Sequence, residues 1–189
     1  MRLSVVIPAR NEEQCLKSTV CDLHATLRQE NIDHEILVVN DNSEDKTGLI
    51  LDNLEKEIST LRCVNNGVPS GFGLAVRRGL ECCTGEAVAT YMADGSDKPE
   101  DLVSFFVALR ENNVDCVFGT RFSKSSRRRS RAWPRSCPAE STEAAASNPG
   151  SPIHLVAAAC PRAWRTSPSK NPGRPPILTT VDRHRTLAK

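Results

Sequence analysis

Residues 35–58 read EILVVNDNSEDKTGLILDNLEKEI, and two hydrophobic periods meet inside that stretch. Ile36 to Val39 is a short continuous apolar run rich in β-branched residues, which predicts a strand covered on both faces. The polar, turn-rich NDNSEDKTG interrupts it, and Ile50, Leu51, Leu54 and Ile58 then recur at helical spacing. The unit is therefore strand, polar loop, helix.

The same unit repeats on either side. Leu3 to Ile7 is an apolar run bounded by Pro8, followed by Leu16, Val20, Leu23 and Leu27 at helical spacing. Asn11, with Gln14 three residues on, resembles a helix-start box in which cap and amide side chains satisfy backbone donors. Leu61 to Val64 is a third, short strand, followed by the glycine-rich NNGVPSGFG and a helical LAVRRGLECC. AVATYM (87–92), PEDLVSFFVALREN (99–112) and DCVFG (115–119) complete the series as strand, helix and strand. Continuous apolar strands alternating with helices predict an α/β domain, its sheet mostly parallel and its helices on both faces.

In such sheets ligands bind beyond the carboxyl ends of the strands. Five polar loops fall there: PARNE, NDNSED, NNGVPSGFG, ADGSD and GTRF. Asp41 follows a buried strand and is placed either to accept hydrogen bonds from a base or ribose, or to form an Asx-type turn with Asn42 and Ser43. Gly71 and Gly73, with Gly67, allow backbone amides to approach a phosphate, although their spacing is neither the dinucleotide fingerprint nor the P-loop. Asp94 ends the fourth strand as a hard oxygen ligand for Mg²⁺ or Mn²⁺. Asp97, before Pro99, suits either that metal or the first turn of the next helix. Arg121 follows the fifth strand as a phosphate clamp or a structural partner of an aspartate.

Charge divides the chain. The net charge of +2 conceals 12 basic and 20 acidic residues in positions 1–122 against 13 and 3 in positions 123–189. Nine of the 12 prolines also fall in the second segment, where neither period is sustained. Such a composition buries little apolar surface, so residues 123–189 are expected to be a disordered Arg/Pro/Ser/Ala-rich tail. The basic run Arg127 to Arg131 lacks interleaved aromatics and reads as solvated charge, so no specific nucleic-acid partner is expected. Eight cysteines without metal spacing or a secretory signal read as reduced structural thiols and a cytoplasmic setting. The longest apolar stretch of the tail, Ile153 to Cys160, is far below the roughly 20 residues that span a bilayer.

Taken in order, SVVIPARNEE, EILVVNDNSEDKT, GFGLAVRRGLECCTG, YMADGSDKPEDLV and DCVFGTRF resemble the family 2 glycosyltransferases of GT-A fold, nearest to the polyprenol-phosphate sugar synthases. The resemblance covers residues 1–122 and implies a nucleoside-diphosphate sugar donor, a lipid-phosphate acceptor at a membrane surface and a divalent metal. It implies that Pro8, Ala9, Asn11 and Glu12 line the nucleotide pocket, that Asp41 recognises the base and that Arg121 lies near the donor phosphates. Asp94 matches the last aspartate of the family's Asp-x-Asp metal motif, whose first position is Met92 here, so metal binding is expected to lean on Asp94 with help from Asp97. Asn40 stands where many members have the first of two aspartates. The motifs end at Phe122, short of the acceptor-side elements of the family, and a frameshift or truncation there is the expectation. A nucleotidyltransferase on a similar sheet is disfavoured, because PARNEE lacks the glycines of its loop.

Overall fold

The computed structural model describes residues 1–112, Cys116–Thr120, Val156–Ala159 and Leu178–Asp182. Strands β1 (Leu3–Ala9), β2 (His34–Asn40), β3 (Leu61–Asn65), β4 (Ala87–Thr90) and β5 (Cys116–Thr120) alternate with helices α1 (Leu16–Gln29), α2 (Thr47–Glu57), α3 (Phe72–Cys82) and α4 (Pro99–Glu111). The sheet runs β3-β2-β1-β4-β6-β5-β7, where β6 is Val156–Ala159 and β7 is Leu178–Asp182. All its ladders are parallel except the two made by β6. The expected mostly parallel sheet with helices on both faces is what forms.

Side-chain alternation along β1 explains the two layers. Leu3, Val5, Ile7 and Ala9 join one core with the apolar stripes of α1, α2 and α4, while Val6 joins Leu37, Val39, Val88 and Ala75 of α3 on the opposite face. All four stripe residues of α1, Leu16, Val20, Leu23 and Leu27, are fully buried. On the other face α3 turns Ala75 and Gly79 inward, one helical turn apart. A Cβ at Gly79 would overlap Val6 Cγ1 and lie 3.2 Å from Val39 Cγ2, so only glycine lets this helix settle on the sheet.

Two segments differ from the expectation for the tail. Val156–Ala159 pairs antiparallel with both β4 and β5, and Leu178–Asp182 pairs parallel with β5. A segment poor in bulky aliphatics can still donate a complete row of backbone groups, which is what a sheet edge lacks. The other residues of the tail lie outside the described residues.

At the amino ends of the strands, Glu35 of β2 is almost wholly buried. Its carboxylate accepts hydrogen bonds from Ser4 Oγ (2.5 Å), Thr84 N (2.5 Å) and Thr84 Oγ1 (2.9 Å), and pairs with Arg62 at 3.3 Å. Burial alone would raise its pKa, but the bonds from Ser4 and Thr84 bring it below the ordinary glutamate range. The six cysteines among the described residues are free thiols, and burial with Glu55 and Asp52 nearby pushes Cys63 up to about 11.

Two outcomes follow. Gly79→Ala is expected to lower stability by about 1–3 kcal/mol in chemical denaturation, through overpacking against Val6. Because the folded pKa of Glu35 is depressed, its contribution is present above the unfolded value of about 4.3 and fades as pH falls through the folded value. The wild-type melting temperature should therefore fall more between pH 6 and pH 3 than that of Glu35→Gln, and equal falls would contradict the assignment.

Candidate functional site

The two ladders of β1 have unequal lengths. Pairing with β2 continues to Ala9, opposite Asn40, whereas pairing with β4 stops at Val6, opposite Thr90. Beyond Val6 the sheet opens, at the point where the strand order reverses direction from β1-β2-β3 to β4. Pro8 falls just past the opening, where a missing N–H no longer interrupts a ladder on that side. A cleft of about 190 Å³ occupies the opening, lined by Pro8, Ala9, Arg10 and Glu12, by Asp41, by Gly71, Phe72 and Ala75, and by Met92 and Ala93.

Asp41 is only 3% exposed, and both of its oxygens are engaged. Asn66 Nδ2 donates to Oδ1 at 2.7 Å and the Gly71 amide donates to Oδ2 at 2.8 Å. The carboxylate thus ties the end of β2 to the loop after β3 and fixes the start of α3 against the cleft. The Asx-type turn of this loop lies at Asp45 instead, whose Oδ1 accepts from the Thr47 amide at 2.9 Å, while Asn40 Oδ1 accepts from the Ser43 amide at 3.1 Å.

The loop after β1 is bonded to the loop after β2 along its length. The Asn11 amide donates to Ser43 Oγ (3.1 Å), the Glu44 amide to Asn11 Oδ1 (2.9 Å), and the Glu12 amide to Thr47 Oγ1 (2.9 Å). The Glu13 amide donates to Asp45 Oδ2 (3.1 Å) and the Lys46 amide to Glu13 Oε2 (3.0 Å). Asn11 and Asn42 both take the left-handed conformation, at φ 56°, which asparagine tolerates better than most residues. The helix-start box expected at Asn11 and Gln14 is therefore corrected: α1 begins at Leu16 without a side-chain cap, and the Asn11 side chain is spent across the loops.

Asp94 is exposed next to Ala93 of the cleft lining, and its Oδ1 accepts from the Ser96 amide at 2.9 Å. Burial, followed by the like charges of Asp94 and Asp45, pushes the Glu12 carboxyl above the ordinary range, so Glu12 and Asp94 lie within electrostatic reach of each other. Asp97 is placed differently. It is buried, its Oδ2 accepts from the Met92 amide at 3.0 Å, and its carbonyl accepts from the Tyr91 hydroxyl at 2.7 Å. These bonds close the 91–97 turn, with Gly95 at φ 73°, and Asp97 does not line the cleft.

Of the residues expected at the site, Pro8, Ala9, Glu12, Asp41 and Gly71 line the cleft, and Asn11 braces its wall from outside. Gly73 lies in the first turn of α3 with open space around it, away from the lining. Arg121 lies outside the described residues. Sequence reading did not single out Arg10, Phe72 or Asn66. Arg10 is a single cation inside PARNE, Phe72 is one residue among glycines, and the contact of Asn66 with Asp41 joins positions 25 apart.

Comparison with known proteins decides the family. Glycosyl transferase family 2 matches residues 4–163. The chain belongs to glycosyl transferase family 2. The match extends past Phe122, the limit set by the five motifs. An undecaprenyl-phosphate 4-deoxy-4-formamido-L-arabinose transferase of Pseudomonas fluorescens is 35% identical over 133 residues, 70% of this chain and 39% of that protein. A dolichyl-phosphate beta-glucosyltransferase of Trichomonas vaginalis is 30% identical over 136 residues, 67% of this chain and 42% of that protein. The chain thus spans about two fifths of the length of these relatives. Among solved structures, a mannosyltransferase from Pyrobaculum calidifontis in complex with GDP-Man and Mn²⁺ superposes with a TM-score of 0.53 at 22% identity, over 61% of this chain and 34% of that one. That likeness establishes the GT-A-type fold.

Asp41→Ala strands the Asn66 amide and the Gly71 N–H. A loss of about 1–3 kcal/mol in chemical denaturation is expected, with faster amide exchange in residues 66–72, while wild-type exchange there would show that Asp41 does not hold the loop.

Proposed function

We propose that the β1/β4 cleft binds a nucleoside-diphosphate sugar, and that the chain is the donor-binding part of an enzyme transferring the sugar to a polyprenol phosphate with inversion. The observation that carries this reading is a cleft at the switch point of the sheet, walled by Asp41 and the α3 start, in a chain of this family. Gly71 and Phe72, at the start of α3, line the cleft, and the helix dipole favours phosphate there, with the Gly71 N–H itself already given to Asp41. Asp41 orients that helix start and keeps lone pairs for a base or ribose. Phe72, half exposed at the rim, offers an aromatic face for stacking. The lipid acceptor is supported by the similarity to the undecaprenyl-phosphate and dolichyl-phosphate transferases of Pseudomonas and Trichomonas.

The donor set fits Mg²⁺ or Mn²⁺. Among the described residues no group of three or more His, Cys, Asp or Glu is arranged to hold a metal alone. Mg²⁺ commonly takes only one or two carboxylates and completes its shell with phosphate oxygens and water. Asp94 would hold it, with Glu12 within electrostatic reach, while Asp97 is committed to its turn. When bound, the ion neutralises charge on the departing pyrophosphate. Among the described residues no helix is long and apolar enough to cross a membrane. The reading places the chain in the cytoplasm, peripheral to the membrane that carries the acceptor.

Calorimetry with UDP and GDP, with and without Mn²⁺, tests the donor site, and a panel of their sugars would identify the base and hexose. Metal-enhanced binding is expected, and Asp94→Asn should reduce the enhancement by about tenfold or more while affecting metal-free binding little. Failure of every nucleoside diphosphate to bind would overturn the reading. A transfer assay to polyprenol phosphate, run alongside, separates a working donor half from a unit that binds without transferring.

A further inference from the structure

At the amino-terminal edge of the sheet, opposite the cleft, three polar side chains from separate elements converge. His24 Nδ1 of α1 lies 3.1 Å from His34 Nε2 at the start of β2, and Thr60 Oγ1, just before β3, lies 3.1 Å from the first and 3.3 Å from the second. Two nitrogens and an oxygen thus form a nearly equilateral triangle, closed in the metal-free chain by hydrogen bonds that an ion would replace. Ligands about 2.1 Å from one ion are separated by roughly 3.0 Å at a right angle and roughly 3.4 Å at the tetrahedral angle, so these edges match one face of a coordination shell.

The tautomer of His34 agrees. Its Nδ1 lies 2.7 Å from the Ile32 carbonyl, which can only accept, so Nδ1 carries the hydrogen and Nε2 the lone pair. A ligating imidazole commonly donates its other nitrogen to a carbonyl in this way, which fixes the ring and raises its basicity. His34 is buried and the rings meet edge to face, with centroids 5.3 Å apart, so the geometry is held by packing. His24 is half-buried and gives the triangle an open side.

We propose that His24 Nδ1, His34 Nε2 and Thr60 Oγ1 form a site for one divalent transition metal of the Zn²⁺ type, with water completing the shell. Imidazole suits Zn²⁺, Cu²⁺ and Ni²⁺ and discriminates against Mg²⁺, so this site is chemically distinct from the carboxylates of the donor cleft. Its occupancy would clamp α1, β2 and the β3 entry together at the end of the sheet remote from the donor.

The test is a titration of the full chain with ZnCl₂, followed by long-range ¹H–¹⁵N spectra of the histidine rings, which report nitrogen coordination irrespective of the cysteines. Saturable shifts of His24 Nδ1 and His34 Nε2 together, complete at one equivalent, are expected. His24→Gln should weaken the binding by more than about tenfold, and Asp94→Asn should leave it unchanged. Thr60→Val, which keeps both rings, is the second variant and should also weaken it. Absence of paired shifts in the wild type, or wild-type Zn²⁺ affinity in both His24→Gln and Thr60→Val, would overturn the proposal.

Discussion

Everything around the cleft depends on β1 keeping β2 as a partner for three residues after β4 has left. A strand with one free flank must satisfy or hide its backbone there. Pro8 removes one donor at that point, and the cleft takes the remaining space. The opening is a consequence of register, and register follows from alternation, because a slip of one residue would exchange the Leu3, Val5 and Ile7 face with the Ser4 and Val6 face. The core that fixes the sheet thereby also fixes where the cleft lies.

The two ends of the sheet use buried carboxylates for opposite purposes. Glu35 closes the amino end, gathering donors from Ser4 and Thr84 with a partly exposed arginine. Asp41 performs a related task at the carboxyl end, but its donors belong to a loop and a helix start that face the cleft. The same chemistry closes the sheet in one place and walls a cleft in the other. Location relative to the switch point makes the difference.

The fold was legible because its periods are clean. Leu16, Val20, Leu23 and Leu27 announced α1 and are all fully buried, and the strands β1 to β5 fall where the apolar runs lie. What stayed hidden depends on partners far away in sequence. Asn11 carries a cap signature, yet the Glu44 backbone claims its side chain from 33 positions away. Asp97, before Pro99, reads first as a helix-start residue and second as a ligand, and its bond to the Met92 amide lies five positions back, where neither reading looks. Val156–Ala159 has no pattern of its own, since what recruits it is two ladders offered by β4 and β5. The triangle of His24, His34 and Thr60 draws on three elements, and no local spacing encodes it.

The bonds that run between residues 11–13 and 43–47 bear on how this wall responds to a ligand. Five backbone amides are fixed by side chains of the opposite loop, in both directions. Two connections that would otherwise fluctuate separately are welded into one body before anything binds. Ordering of this wall is then already complete in the free chain, so little conformational entropy is lost there on association. The opposite wall, around residues 66–72, hangs from the end of β2 instead: Asp41 holds Asn66 and Gly71, Asn42 holds Ser70, and the Asn66 amide reaches the Asn40 carbonyl.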